Sequence, residues 1–456
     1  MRALEEQLKM KAELLKEDIE KCVRCGTCRS ICPTFRVIGR EGASARGKLT
    51  LIQAYLNGGL GLTPEYAKQL NECTLCGSCR DSCPNGVDTV NIIRAGREDV
   101  FKKEASGGVA GATAKFILKN VIDSTRLMPL ALKFASRVQG VLFKESTAET
   151  GLISRFSLPF VGGNRLIPPL AKTFFLDLPA IAALSGIFPD DKGARGLARL
   201  SAKPRDARRA RPYRVAFYAG CGVNYLMPDV GIASIDAVKR AGAEVKVPGN
   251  QVCCGMPLWS MGDTETAKTL ALKNIEAFEN CGADYIVTSC ATCTYGLKTV
   301  FKQMLSGEPP EIRAKAEAFA GKVMDITELL ASPLNAAGME SNRAKREGNA
   351  VVTYHDPCHL GRGLGIRDEP RELIRKSKGV TLKEMRFPCS CCGLGGGLSV
   401  SNYELSIEIA RRKAESVRDS GAGVVATACP GCMVQLRDGL HRFGVNAKVV
   451  HVVELL

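Results

Sequence analysis

Two short cysteine runs constrain this chain more than any other feature. CVRCGTCRSICP at 22–33 and CTLCGSCRDSCP at 73–84 share the spacing C-x2-C-x2-C-x3-C-P. Each places three thiols on one tight loop and holds a fourth just beyond it, ahead of a proline. Such a loop caps three irons of a cubane [4Fe–4S] cluster and lends its last thiolate to the neighbouring cube. The expected sets are therefore crossed: Cys22, Cys25, Cys28 and Cys83 for one cluster, Cys73, Cys76, Cys79 and Cys32 for the other. Structural zinc takes separated ligand pairs, often with histidine, and all four histidines lie beyond residue 350. Disulfides would call for an oxidising compartment. The N-terminal stretch reads as a charged amphipathic helix without an apolar signal-peptide core. The expected location is the cytoplasm, with peripheral attachment at the cytoplasmic face of the membrane as its variant.

The formal charge of +16 counts all 20 cysteines as neutral. Cluster ligands are thiolates, and a cube with four thiolates carries about two net negative charges when oxidised. Bound clusters thus consume part of the basic excess. The rest suits an acidic partner, where charge complementarity speeds encounter. Nucleic-acid binding is the competing reading of a basic chain. The basic run at 195–214 supports it weakly, with Tyr213 as its only aromatic, and is read as a solvated linker. No nucleic-acid partner is expected. The most apolar stretch, 166–189, is broken by Lys172, Asp177 and prolines, so it reads as core or partner-facing surface rather than a membrane span.

Helical periodicity falls at 3–20, 43–57 and 87–103 around the two loops. From 214 onward the chain repeats itself. Cys221, Cys253-Cys254-Gly255 and Cys290-x2-Cys293 match Cys358, Cys391-Cys392-Gly393 and Cys429-x2-Cys432. The offsets are 137 (358 − 221), 138 (391 − 253) and 139 (429 − 290). Short β-branched runs lead into Cys221, Cys290, Cys358 and Cys429 and read as buried parallel strands. Helical patterns lie at 229–242, 262–280, 402–419 and 432–442. This alternation predicts parallel α/β sheets with the cysteines at their carboxyl edges, where open sheets bind ligands. The predicted fold class is mixed α+β and α/β: a helical two-cluster ferredoxin-like module (1–105), a helical connecting segment with the basic linker (106–213), and two copies of a cysteine-rich α/β domain (214–340 and 341–456).

Adjacent cysteines do not normally form a relaxed disulfide with each other. They are able to point two sulfurs at one cluster, with the glycine after them permitting close backbone approach. The pattern C-x31-CCG-x34-C-x2-C, then C-x32-CCG-x35-C-x2-C, resembles the CCG domain of heterodisulfide reductases and of glycolate and lactate oxidase iron–sulfur subunits. The whole order resembles the glycolate oxidase iron–sulfur subunit and the D-type heterodisulfide reductase subunit. The resemblance implies one or two noncubane [4Fe–4S] clusters. Cys221, Cys253, Cys254, Cys290 and Cys293 would hold one; Cys358, Cys391, Cys392, Cys429 and Cys432 would hold the other. Arg46-Gly47-Lys48 resembles a helix-opening element of the oxidase subunits, whereas two complete cysteine sets fit the reductases.

His355 and His359 flank Cys358 as candidate catalytic proton donors, with cluster tuning or a structural role as the other readings. Asp356 is expected to cap the turn before Pro357. Cys281 reads as a small buried residue, and Cys389 as a spare thiol near the cluster. The glycine run 393–397 lacks the βαβ context of a dinucleotide motif and is assigned to backbone approach around the cluster. No flavin motif is evident, so hydride chemistry is expected on a separate FAD-containing dehydrogenase subunit. The leading expectation is an electron-transfer subunit of a 2-hydroxy-acid (glycolate or D-lactate) dehydrogenase in a hetero-oligomer. It would pass single electrons to a quinone-reducing membrane subunit, an electron-transfer flavoprotein or a ferredoxin. Two alternatives stand: a catalytic disulfide reductase subunit, and a redox scaffold in a larger bifurcating complex.

Overall fold

The computed structural model describes residues 15–106, 127–146, 151–154, 165–188, 211–332, 334 and 349–456. The first twelve residues of the helix expected at 3–20 and most of the basic linker lie outside the described residues. Two compact units are present: residues 1–118 with 257–264 and 390–412, and residues 119–256 with 265–389 and 413–456.

The first unit is helical around its cysteine loops. Helices span Ala45–Leu56, capped by the Ser44 hydroxyl, which accepts from Gly47 N, and Thr89–Ser106. Leu49, Ile52, Leu70, Ile92 and Ile93 fall on the inward faces and form one apolar core. Gly96 packs closely there, since a Cβ would lie 2.8 Å from Leu70 Cδ1 and oblige that side chain to shift. The core braces both loops from one side, with Cys22, Cys73 and Cys83 packed against it.

The second unit contains the described part of 106–213, which is not helix alone. A helix at Leu127–Leu142 runs directly into an antiparallel ribbon, β1 (Phe143–Glu145) against β2 (Leu152–Ser154). Among the described residues no helix is long and apolar enough to cross a membrane.

Two four-stranded parallel sheets make up most of this unit. The strands of the first are β3 (Arg214–Phe217), β4 (Glu244–Lys246), β5 (Tyr285–Thr288) and β6 (Val323–Asp325), in the order β4-β3-β5-β6. The second comprises β7 (Ala350–Tyr354), β8 (Val380–Leu382), β9 (Val424–Thr427) and β10 (Lys448–His451), in the order β8-β7-β9-β10. The two orders are the same, so the repeat legible in the cysteines is also a repeat of topology. In each sheet the chain leaves the first strand for one edge and returns to its other side. That reversal opens a crevice at the carboxyl ends of the two central strands. Cys221 and Cys290 follow β3 and β5; Cys358 and Cys429 follow β7 and β9.

Candidate iron–sulfur centres

The two N-terminal loops are built alike. Arg24 and Leu75, two residues past the first cysteine of each run, hold φ of 55° and 51°, and Gly26 and Gly77 follow at 89° and 73°. A branched or bulky side chain in the left-handed region is costly and persists only where the surroundings impose it. Here it wraps each loop so that successive sulfurs turn to one side. The fourth cysteine of the first run, Cys32, is the N-cap of the Pro33–Ile38 helix, and its sulfur accepts from Phe35 N at 3.5 Å.

Cys32, Cys73, Cys76 and Cys79 line a single cavity, with Lys48, Leu75, Val90 and Ile93 in its walls. Hydroxyls sit beside three of the four sulfurs: Thr34 at 3.1 Å from Cys32, Ser78 at 3.4 Å from Cys76 and Thr89 at 2.9 Å from Cys79. Burial pushes the Cys32 and Cys79 thiols up, so these thiols stay protonated by themselves and a cationic metal is needed to hold them as thiolates. Four converging thiols, hydroxyl donors and a dry wall fit a sulfur-ligated cluster. The first loop is more open. Cys25 is exposed and its thiol is pulled down chiefly by the Thr27 hydroxyl. Burial chiefly pushes Cys28 up, while a hydrogen bond from the Arg46 backbone N–H, and then the Arg46 charge, act against that. Arg46 itself donates to Arg24 O at 3.0 Å and pairs with Glu41.

In the second unit the first repeat gathers its five cysteines. Cys253 Sγ lies 3.9 Å from Cys221 Sγ, and Cys293 Sγ lies 3.4 Å from Cys254 Sγ. Cys290 and Cys293 hydrogen-bond each other. Hydrogen bonds from Cys253 and Cys293 favour the Cys254 thiolate and pull it down to about 5. Gly220 is needed for this closeness: its φ is 64°, and a Cβ would meet Cys293 Sγ at 3.0 Å. Residues without any cysteine signature fix the loop. Asn274 accepts from Val252 N at 3.0 Å and donates to Cys253 O at 3.1 Å, and Tyr218 OH donates to Val252 O at 2.6 Å. Sequence reading missed Asn274 and Tyr218, because neither spacing nor residue type sets them apart from ordinary helix and strand positions.

The cysteines of the second repeat are divided between the units: Cys391 and Cys392 belong to the first, Cys358, Cys429 and Cys432 to the second. Within the second unit Cys429 hydrogen-bonds both Cys290 and Cys432. Thr292, inside the Cys290-x2-Cys293 loop, touches Cys429 Sγ at 3.6 Å and His359 Nδ1 at 3.0 Å. The His359 ring stacks on Tyr295 with centroids 5.1 Å apart. His355 is buried, a ring nitrogen lies within 4.8 Å of Cys432 Sγ, and burial pushes it down to about 3. Such a ring is neutral at ordinary pH and offers a hydrogen bond rather than a proton. Asp356 does not cap the turn. It forms a bidentate pair with Arg371, 2.8 Å to each oxygen, and accepts from the Cys389 thiol at 3.2 Å. A buried carboxylate is better compensated by a guanidinium fork than by one backbone N–H. Cys281 is buried, as expected of a small apolar residue at a helix end.

The glycine run has a specific seat. Within the first unit, a Cβ on Gly395 would lie 2.4 Å from Thr74 O, and one on Gly396 2.4 Å from Cys73 O. The backbone after Cys391-Cys392 therefore rests directly on the Cys73–Thr74 loop, and the Cys391 thiol hydrogen-bonds Cys76.

Known protein domains match three stretches of the chain. Residues 18–87 match a 4Fe-4S dicluster domain, and residues 215–298 and 352–437 each match the Cysteine-rich (CCG) domain. The chain is an iron–sulfur protein of dicluster-plus-two-CCG architecture. It belongs to the family that includes the glycolate oxidase iron–sulfur subunit and the D-type heterodisulfide reductase subunit. It is 27% identical to the probable glycolate oxidase iron-sulfur subunit of Bacillus subtilis, over 99% of this chain and 96% of that protein. It is 26% identical to the D-type subunit of the dihydromethanophenazine:CoB–CoM heterodisulfide reductase of Methanosarcina acetivorans, over 96% of this chain and 93% of that protein. It is also 33% identical to lactate utilization protein A of Bacillus cytotoxicus, over 53% of this chain and 98% of that protein.

Proposed function

We propose that this protein is the electron-transfer subunit of a flavin-dependent 2-hydroxy-acid dehydrogenase, in which a separate FAD-containing subunit oxidises glycolate or D-lactate. Cys22, Cys25, Cys28 and Cys83, and Cys73, Cys76, Cys79 and Cys32, would hold two cubane clusters; Cys221, Cys253, Cys254, Cys290 and Cys293 would hold a noncubane one, and the second CCG repeat another. When bound, such clusters carry single electrons. One observation carries the reading: the Cys391-Cys392 loop lies against the Cys73–Cys76 loop, with Cys391 hydrogen-bonded to Cys76. Two cysteine systems of different kind thus meet sulfur to sulfur inside one compact unit, which suits passage of an electron between them. The names of the oxidase and lactate-utilization relatives support the hydroxy acid as the donor.

The experiment is isolation of the native complex. A copurifying FAD protein, with glycolate or D-lactate bleaching the clusters only in its presence, supports the reading; clusters that stay oxidised with that protein and either substrate overturn it. A second reading, disulfide reduction, is favoured by the two complete cysteine sets and by Cys290 standing against Cys429 across the two repeats. Reduction of an added heterodisulfide by the isolated chain with a reduced viologen distinguishes it.

A further inference from the structure

Arg46, Gly47 and Lys48 open one helix and send one cation towards each N-terminal cysteine loop. Gly47 makes the crossing possible, since a Cβ there would lie 2.1 Å from Glu41 O. The two cations meet different fates. Arg46 is paired with a carboxylate: its Nε reaches Glu41 Oε1 at 2.5 Å and its Nη2 reaches Glu41 Oε2 at 3.2 Å, on the exposed side of the first loop, where Arg29 shares the same Glu41 at 3.4 Å. Lys48 is 1% exposed, and its Nζ donates to the main-chain carbonyls of Gly42 and Ala43 at 2.8 and 2.9 Å. The Ala43 carbonyl also accepts from the Cys32 thiol at 3.7 Å, so the ammonium sits one group away from that sulfur.

Arg97 repeats the pattern from the other side. It too is 1% exposed, and its fork donates to five carbonyls: Leu70, Asn71, Cys73, Ser260 and Gly396, with Cys73 O closest at 2.6 Å. Among the described residues no carboxylate pairs with Arg97 or Lys48. Glu72 acts on Lys48 more weakly than Cys73 and Cys32 do, and pairs with Arg40 at 3.8 Å. Carbonyl dipoles solvate a cation but do not cancel its charge, and a buried charge without a counter-ion is expensive. Burial pulls both groups down, and the strongest charges acting against it to favour the cationic form are those of cluster-ligand sulfurs: Cys73 for Arg97, Cys73 and then Cys32 for Lys48.

We propose that Lys48 and Arg97 are the built-in counter-cations of the centre at Cys32, Cys73, Cys76 and Cys79, and that they make it the higher-potential member of the N-terminal pair. Reduction adds one negative charge to a centre, and two buried positive charges, Lys48 in the cavity wall and Arg97 on the Cys73 carbonyl, stabilise that added charge far more than they would in water. The other centre has an exposed cysteine, and the cations beside it, Arg29 and Arg46, share Glu41 at the surface, where water screens them. Arg97 also joins Cys73 O to Gly396 O, so the same guanidinium fixes the contact with the Cys391-Cys392 loop. These are positioning residues: their hydrogen bonds run to backbone carbonyls, and they act on the sulfurs through the field. The inference rests on the two-cubane reading of Proposed function.

The test is a redox titration of the full chain, reconstituted anaerobically and followed by low-temperature paramagnetic resonance. Iron and sulfide content is measured first: too little for two cubes defeats the underlying reading, whereas full loading isolates the present one. Cys76→Ser labels the signal of the centre it serves. In wild-type protein that signal is reduced at the higher potential. Lys48→Gln and Arg97→Gln each make its reduction at least tenfold less favourable, a fall of about 59 mV for a one-electron couple, and leave the other signal in place. Lys48→Arg and Arg97→Lys restore it. Unchanged potentials in the glutamine variants overturn the proposal, as does a lower-potential Cys76-labelled centre in wild-type protein. If Arg97→Gln fails to load its centre, Arg97→Lys decides: loading restored by charge supports the proposal, and loss in both overturns the charge role of Arg97 in favour of its hydrogen bonds.

Discussion

The two α/β repeats share strand order, cysteine pattern and even the sequence around their last strands, KVMDITELL and KVVHVVELL, yet they end those strands on opposite chemistry. Asp325 closes β6 and His451 closes β10. Each caps the helical turn that follows. Asp325 accepts from Thr327 N at 2.9 Å, and from the Thr327 and Thr294 hydroxyls; His451 Nδ1 accepts from Val453 N at 3.3 Å. Both are fully buried. Burial raises Asp325 to about 7 and lowers His451 to about 4, since in each case it penalises the charged form. A duplicated scaffold thus preserved the capping geometry and left the sign of the latent charge free. The two side chains are neutral together only between those two values.

That comparison breaks most sharply at the cysteines. Cys254→Ser is expected to remove the centre of the first repeat, leaving the cubane resonance intact. Loss of both signals would mean that the repeats and the N-terminal loops are not independent metal sites.

Next come the buried caps. The folded-state value of Asp325 lies above its ordinary 3.8, so its contribution is fully present below about 4 and is lost as pH rises through about 7. The loss reaches about 4 kcal/mol. Asp325→Asn should therefore gain stability relative to wild type as pH rises towards 8, read by anaerobic urea unfolding. His451 runs the other way. Its folded value lies below the ordinary 6.5, so its contribution is present above that value and is lost as pH falls through about 4, by about 3 kcal/mol. His451→Asn should flatten the acid side of the same profile. Parallel slopes for the two variants would show that the caps are not chemically opposed.

The smallest effect concerns the odd cysteine of the first repeat. Cys281 stands where the second repeat has Ser420, an offset of 139 (420 − 281), the same as between Cys290 and Cys429. Ser420 donates to Val417 O at 2.6 Å in that helix end. Cys281→Ser is expected to copy that bond, cost less than about 1 kcal/mol and leave iron content unchanged. A drop in iron would bring Cys281 into the metal site.

Much of this molecule was set by residue order. The loop spacings, the duplicated cysteines, the strands ending at Cys221, Cys290, Cys358 and Cys429, and the glycines that admit close backbone contact all depend on neighbours a few positions apart, where covalent geometry leaves few options. Tertiary structure decided what depends on distance across the fold. It brought Gly396 onto Cys73, set Asn274 beneath the Cys253 loop, and gave Asp356 to Arg371. It also buried Lys48 and Arg97 with no carboxylate paired to either among the described residues, while leaving Arg46 beside Glu41. A lysine or arginine reads the same in a sequence whether water or a sulfur cavity surrounds it; its energy differs because the surrounding dielectric and the nearest opposite charge are set only when remote segments pack together.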